Sequence, residues 1–192
     1  MPIEIEAKMR LTDRAAVEHR LREAGAVDTG QIVETNTFFD TPEGSLKSSD
    51  QGLRVRVEHH EDGGEVATLT HKGPRAHGQL KSRSETEARV ADAHAAAELL
   101  GALGYLPVLS FEKRRSRWTL DGCNVELDVL PYVGTFCEIE GDDDESVLAV
   151  REKLGLHDTP LIRASYIAML MSYIRENHLQ TRTVRFEEEA VA

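Results

Sequence analysis

Ile3-Glu4-Ile5-Glu6-Ala7-Lys8 alternates strictly between apolar and charged residues. Side chains two apart on a strand share a face, so this run places Glu4, Glu6 and Lys8 on one side and Ile3, Ile5 and Ala7 on the other. The alternation recurs downstream. Arg54 and Arg56 oppose Leu53, Val55 and Val57, while Thr68, Thr70 and Lys72 line up on a further strand. Lys81, Arg83, Glu85 and Glu87 form another row, as do Lys113, Arg115 and Arg117, then Glu126 with Asp128, and Glu138 with Glu140. One strand with charges on one face is ordinarily a solvated sheet surface. Surface sheets, however, mix Thr, Ser and Gln with isolated charges, and so many opposed apolar faces need cover.

Periodicity predicts strands near 2–9, 31–39, 52–59, 65–72, 81–90, 108–120, 123–130 and 134–140. Asp62-Gly63-Gly64 and Asp121-Gly122 read as hairpin turns. Four amphipathic helices fill the gaps. The first runs from Asp13 to Ala24, with Thr12 as N-cap and Gly25 as its stop. The second, after Asp92 and before Gly104, is expected to bury Leu99, Leu100 and Leu103; the others span about 145–154 and 163–177. The expected fold is α+β: an eight-stranded antiparallel barrel with a charged lumen and helices packed outside. Eight strands close around an interior wide enough for one small ligand. No repeat or Pro-rich linker divides the chain, which reads as one domain over 1–178 and a loose tail over 179–192.

A net charge of −11 argues against nucleic acid as the main partner. A small anion stays open, because a metal can reverse the sign of a local site. Two cysteines, Cys123 and Cys137, make no disulfide framework, and no zinc-type spacing is present. The N-terminus does not read as a signal peptide, and no apolar run approaches the ~20 residues needed to span a membrane. A soluble cytoplasmic protein is expected.

Electrostatics then narrows the ligand. Two carboxylates ~4 Å apart repel by about 4 kcal/mol at an effective dielectric near 20. A group such as Glu4, Glu6, Glu138 and Glu140 therefore calls for a cation among it. Oxygen ligands alone suit Mg²⁺ or Mn²⁺. Lys8, Arg54, Arg56, Lys72, Lys113 and Arg115 suit several phosphates in a row, the arginines binding in bidentate fashion. Salt-bridging between the two sets without a ligand is the bland alternative, and buried ion pairs rarely stabilise enough to justify so many.

Glu4-Ile5-Glu6-Ala7-Lys8 matches the ExExK signature of the CYTH superfamily, also called triphosphate tunnel metalloenzymes. The chain resembles that family through an ordered series: Asn36-Thr37-Phe38-Phe39-Asp40-Thr41-Pro42, Leu53-Arg54-Val55-Arg56, Leu69-Thr70-His71-Lys72-Gly73-Pro74 and Arg83-Ser84-Glu85-Thr86-Glu87. It continues with Lys113-Arg114-Arg115, Leu127-Asp128, Gly134-Thr135-Phe136-Cys137-Glu138-Ile139-Glu140 and Ser165-Tyr166, covering about residues 1–175. The resemblance implies metal-binding carboxylates at Glu4, Glu6, Glu138 and Glu140, with Asp128 near a second metal. It implies phosphate-binding cations at Lys8, Arg54, Arg56, Lys72, Lys113 and Arg115, with Arg163 facing the tunnel from the last helix. Lys8, Arg54, Arg56, Lys113 and Asp128 carry the implied catalysis. Glu85, Glu87, Arg117 and Glu126 fall on the right face without a firm role.

Members of that family include class IV adenylyl cyclases, thiamine triphosphatases and inorganic tripolyphosphatases. The implied substrate is ATP, tripolyphosphate or thiamine triphosphate. The look of 133–140 and of Ser165-Tyr166-Ile167-Ala168-Met169-Leu170 leans toward the cyclase, with a hydrolase as the alternative and a non-catalytic polyphosphate-binding module as a third. The lysine that some thiamine triphosphatases use near the C-terminus has no counterpart here, since the last lysine is Lys153. A homodimer is carried over from the family alone, because no stretch reads as an interface. Elsewhere, the eight histidines lack metal-site spacing, His59-His60 reads as solvated, and no nucleophile elbow or phosphate loop is present. Trp118, Met169 and Met171 read as packing.

Overall fold

The computed structural model describes residues 3–187 apart from 77 and 79, with side chains described from residue 5 onward. Eight long strands run β1 (Ile3–Arg10), β2 (Val27–Asp40), β3 (Gly52–His60), β4 (Glu65–Arg75), β5 (Lys81–Val90), β6 (Leu106–Leu120), β7 (Cys123–Leu130) and β8 (Gly134–Gly141). They are ordered β2-β3-β4-β5-β1-β8-β7-β6, and an antiparallel β2–β6 ladder closes the barrel. Five helices, α1 (Arg14–Glu23), α2 (Ser45–Ser48), α3 (Ala93–Ala102), α4 (Asp144–Lys153) and α5 (Tyr166–Glu176), lie between or after the strands.

Register sets the lumen. Glu6 pairs with Glu140 and Lys8 with Glu138 across β1 and β8, while Glu6 faces Lys81 across β5. Asn36 meets Arg56, Arg54 meets Thr70, and Arg115 meets Asp128, so the charged rows of successive strands share the inner face. The outward residues are apolar and covered. Ala7, Met9, Val125, Leu127 and Ile139 pack beneath α1 and α4 through Val17, Leu21, Val147 and Val150. At one end of the barrel the inward rows themselves turn apolar, and Leu109, Phe111, Leu130 and Phe136 meet Tyr166, Leu170 and Ile174 of α5. At ~25 cal/mol per Å² these clusters are the main favourable term in a fold whose lumen contributes little of it.

Helix ends follow local chemistry. α1 is capped by Asp13, whose carboxylate accepts from Ala16 N at 3.0 Å, one residue later than the Thr12 expected. α5 starts at Tyr166 behind Ser165, so Arg163 precedes the helix. Asp40 at the end of β2 accepts from Thr41 N, Leu46 N and Lys47 N, and so fixes the unforeseen turn α2. The expected burial of Leu99 and Leu103 is corrected: they are 61% and 66% exposed, and α3 docks instead through Leu100, Ala93, Ala96 and Ala97. Alanines let the helix approach the sheet closely, which rotates the two leucines away. Met169 is half-buried, but Met171 is exposed rather than core.

The segment past α5 continues in contact with the barrel. β9 (Thr183–Val184) pairs in parallel with Ser110–Phe111 of β6, and Phe186 N donates to Glu112. Residues 188–192 of the expected tail lie outside the described residues. Trp118 is buried with the Arg22 guanidinium over its ring, and Cys123 and Cys137 are free and buried. The His59 side chain is 40% accessible, solvated as expected, and also contacts Thr35 and Glu65. Among the described residues no helix is long and apolar enough to cross a membrane.

Candidate active site in the barrel lumen

A cavity of about 1350 Å³ occupies the lumen, its wall including Glu6, Lys8, Arg54, Arg56, Lys113 and Glu138. Two sides of it differ. On the β1–β8–β7–β6 side the charges are tightly interlocked. Lys8 Nζ lies 3.1 Å from Glu6 Oε1 and 2.9 Å from Glu138 Oε1, and Lys81 Nζ lies 2.6 Å from Glu6 Oε2. Arg115 donates from Nε and Nη2 to both oxygens of Asp128 at 2.7 and 2.6 Å, and from Nη2 to Glu138 at 2.8 Å. Its Nη1 also pairs with Glu126. Lys113 Nζ bridges Glu34 at 3.2 Å and Asp128 at 3.3 Å.

Tyr166 supports this layer from below. Its hydroxyl donates to Asp128 Oδ2 at 2.9 Å, and its ring carries Lys8 Nζ at 4.2 Å and Lys113 Nζ at 5.5 Å. Burial opposes every charge here, yet the partners win for most. Burial works to discharge Lys8, but Glu138 and Glu6 hold it above the ordinary lysine range. Burial works against ionised Glu138 as well, and Lys8, Arg115 and Lys113 outweigh it. Glu34, likewise buried, is kept ionised by Lys113 and Arg115. Glu126 goes the other way: burial, followed by the adjacent Asp128 and Glu138 charges, lifts it to about 7 despite Arg115.

The β3–β4–β5 side is looser. Arg54 Nη1 donates to Asn36 Oδ1 at 3.2 Å, while its Nη2 stands 3.9 and 3.8 Å from Glu85 and Glu87. Arg56 Nη2 reaches Glu87 at 3.3 Å, and Lys72 Nζ reaches Glu85 at 2.6 Å. Glu85 and Glu87 thus hold the cations of this side in place. Among the described residues, the Nε atoms of Arg54, Arg56 and Arg83 are buried and have no hydrogen-bond partner. Burial, then the neighbouring Arg56 charge, lowers the Arg54 pKa.

Most of the residues singled out in the sequence converge on this lumen, as Lys8, Arg54, Arg56, Lys72, Lys113, Arg115, Glu6, Asp128, Glu138 and Glu140 all come together there. Glu4 lies opposite Arg83 in the β1–β5 ladder, and its side chain is outside the described residues. Arg163 is not brought in: it is exposed and donates to Gly78 O at 3.0 Å on the loop between β4 and β5. From this part of the chain it is Tyr166 that reaches the lumen charges, through Asp128, Lys8 and Lys113. Lys81 and Glu34 also emerge as lumen charges. Lys81 stands in the row read with Arg83, Glu85 and Glu87, though the sequence alone assigns it no role. Glu34 sits among Thr35, Asn36 and Thr37, where alternation gives no signal.

A domain model described as "CYTH domain" matches residues 2–166. The chain belongs to the CYTH family. Adenylate cyclase CyaB of Aeromonas hydrophila is 32% identical over 176 residues, spanning 85% of this chain and 86% of that protein. Human thiamine-triphosphatase is 30% identical over 133 residues, spanning 60% of this chain and 54% of the human one. A solved structure of a protein from Pyrococcus horikoshii OT3 superposes with a TM-score of 0.78 at 26% identity, covering 88% of this chain and 99% of the other.

CYTH membership raises the question of a divalent metal, and the donor set fits one. Glu126, Asp128 and Glu138 each offer a carboxylate oxygen within 4.8 Å of the others. All the donors are oxygens, which suits Mg²⁺ or Mn²⁺. Burial, then the Asp128 and Glu138 charges, raises Glu126 despite Arg115, and a cation beside the trio would oppose that rise.

Proposed function

We propose that the chain is a divalent-metal-dependent enzyme that cleaves a triphosphate held in the barrel lumen, converting ATP to cyclic AMP and pyrophosphate. One observation carries the proposal. Three arginines that line the lumen, Arg54, Arg56 and Arg83, have buried Nε donors without a hydrogen-bond partner among the described residues, and the lumen also carries a carboxylate trio. A buried donor without an acceptor costs about 1–3 kcal/mol, so the site is built for an anion that the protein does not itself contain.

The triphosphate lies along Arg54, Arg56 and Lys72, with Lys8 and Lys113 on the opposite side. Arg54, Arg56 and Lys113 hold the charge that develops on the leaving phosphates, acting from fixed positions away from bulk water. Lys8 is fixed between Glu6 and Glu138 and remains charged throughout. Asp128, locked by Arg115 and Tyr166, keeps one orientation. Asp128, Glu138 and Glu126, together with Glu4, Glu6 and Glu140, would hold Mg²⁺ or Mn²⁺, which supplies charge neutralisation and activation of the attacking oxygen.

The likeness to CyaB across most of both chains supports the cyclase reading. A second reading, hydrolysis of the triphosphate, is favoured by the likeness to thiamine-triphosphatase. Product analysis separates them. With Mg²⁺ or Mn²⁺, cyclic AMP and pyrophosphate from ATP are expected, and a Glu6→Gln/Glu138→Gln variant abolishes both. Orthophosphate from ATP, thiamine triphosphate or tripolyphosphate in their place would establish the hydrolase.

A further inference from the structure

The lumen changes character at one end. Along β2 the inward row runs Glu34, Asn36, Phe38, and along β6 it runs Arg115, Lys113, Phe111, so both rows turn from polar to aromatic at the same level. Phe38 and Phe111 stack there, with ring centroids 5.9 Å apart and planes 10° apart. The Arg54 guanidinium lies 5.9 Å from the Phe38 ring, which puts the aromatic pair directly beside the phosphate-binding cations. Across the opening, α5 presents Ile167 and Met171, one turn apart, to the same cavity. Met171 is 37% exposed, whereas Leu170 and Ile174 of the same helix are buried.

A bare polyphosphate makes no use of such a wall. Hydrating an apolar face next to a string of charges is unfavourable, and the charged rows on the neighbouring strands show that polar residues fit the lumen. A flat ring suits such a wall: an aromatic face such as that of Phe38 accepts stacking, and a flexible thioether such as that of Met171 adapts to a ring's shape. We propose that Phe38, Phe111, Ile167 and Met171 form a subsite for the ring of an organic triphosphate ester. The enzyme therefore selects a ring-bearing triphosphate, either a nucleoside triphosphate or one like thiamine triphosphate, over inorganic tripolyphosphate. This rests on the triphosphate site proposed above and specifies its substrate class.

The test is binding calorimetry on the full chain with ATP, thiamine triphosphate and inorganic tripolyphosphate, without metal so that no turnover intervenes, followed by kcat/KM for each with Mg²⁺. The expected result is that one organic triphosphate binds at least about tenfold more tightly than tripolyphosphate, a difference of about 1.4 kcal/mol. Whichever is preferred identifies the ring. In Met171→Ala and Phe38→Ala that preference shrinks towards unity, while tripolyphosphate binding changes by less than about twofold; the exposed Met171 guards against misfolding as the cause. Equal affinity for all three in the unaltered protein, or an equal loss for all three in the variants, would overturn the subsite and leave the triphosphate site intact. Failure of all three to bind would overturn both.

Discussion

The two sides of the lumen are built from the same residue types and reach opposite states. Around Arg115 the donors of the guanidinium are answered: Asp128 takes two hydrogen bonds from it, and Glu138 and Glu126 close on the same group. Around Arg54 and Arg56 the nearest carboxylates stand at 3.3–3.9 Å, and among the described residues the Nε donors make no hydrogen bond, Arg56 Nε standing 3.6 Å from Glu58. Burial disfavours charge on both sides, less so on the second, where Glu87 is the most open of these carboxylates. The first side is therefore held together by its own charges, whereas the second is held in readiness for charges from outside. A buried ionic cluster thus need not have one purpose, since the count of satisfied donors separates the part that shapes a site from the part that uses it.

The comparison breaks most visibly at Arg115. Replacing it with alanine leaves Asp128, Glu126 and Glu138 facing one another, and a stability loss of about 3–5 kcal/mol is expected from denaturant midpoints. Millimolar Mg²⁺ should recover part of it. Arg54→Ala should do the reverse. Its effect on stability is expected to stay within about 1 kcal/mol, while triphosphate affinity falls roughly 10–100-fold, the equivalent of about 1.5–3 kcal/mol for a charge-assisted contact. Similar stability losses in the two variants would remove the distinction between the two sides.

The smallest expected effect is one of pH. Glu126 has its pKa raised in the folded protein to about 7, from an unfolded value near 4.5. The folded state thus binds the extra proton. Stability attributable to this group is full below about pH 4.5 and is lost as pH rises through 7. Metal-free protein should lose roughly 1–2 kcal/mol over that window, discounted for the group's partial exposure. Glu126→Gln, followed by thermal melts at pH 5 and pH 8, should flatten the loss.

Much of this was legible in the sequence because strands write their faces into alternate positions. The rows of β1, β3, β6 and β8 could be read directly, and the barrel followed from their number. What escaped depends on relations between elements. Glu34 is hidden in a run of polar residues, and only its pairing with Lys113 across β2–β6 reveals its place. Leu99 and Leu103 satisfy a helical face by composition, but the alanine face of α3 packs closer. A helix over 163–177 would carry Arg163, but the Ser165 cap starts α5 three residues later and leaves Arg163 in a loop. Glu126 stood in the right row, yet its crowding with Asp128 and Glu138 is a property of three strands in space.

β9 covers a length of β6 for which β7 offers no ladder, since β7 pairs only from Arg114 onward. Without Thr183–Val184, the main-chain groups at Ser110 and Phe111 would stand open to the strand of any passing molecule. The last described stretch of the chain thus guards the barrel against sheet extension, and deletions there bear on how well the protein tolerates its own concentration.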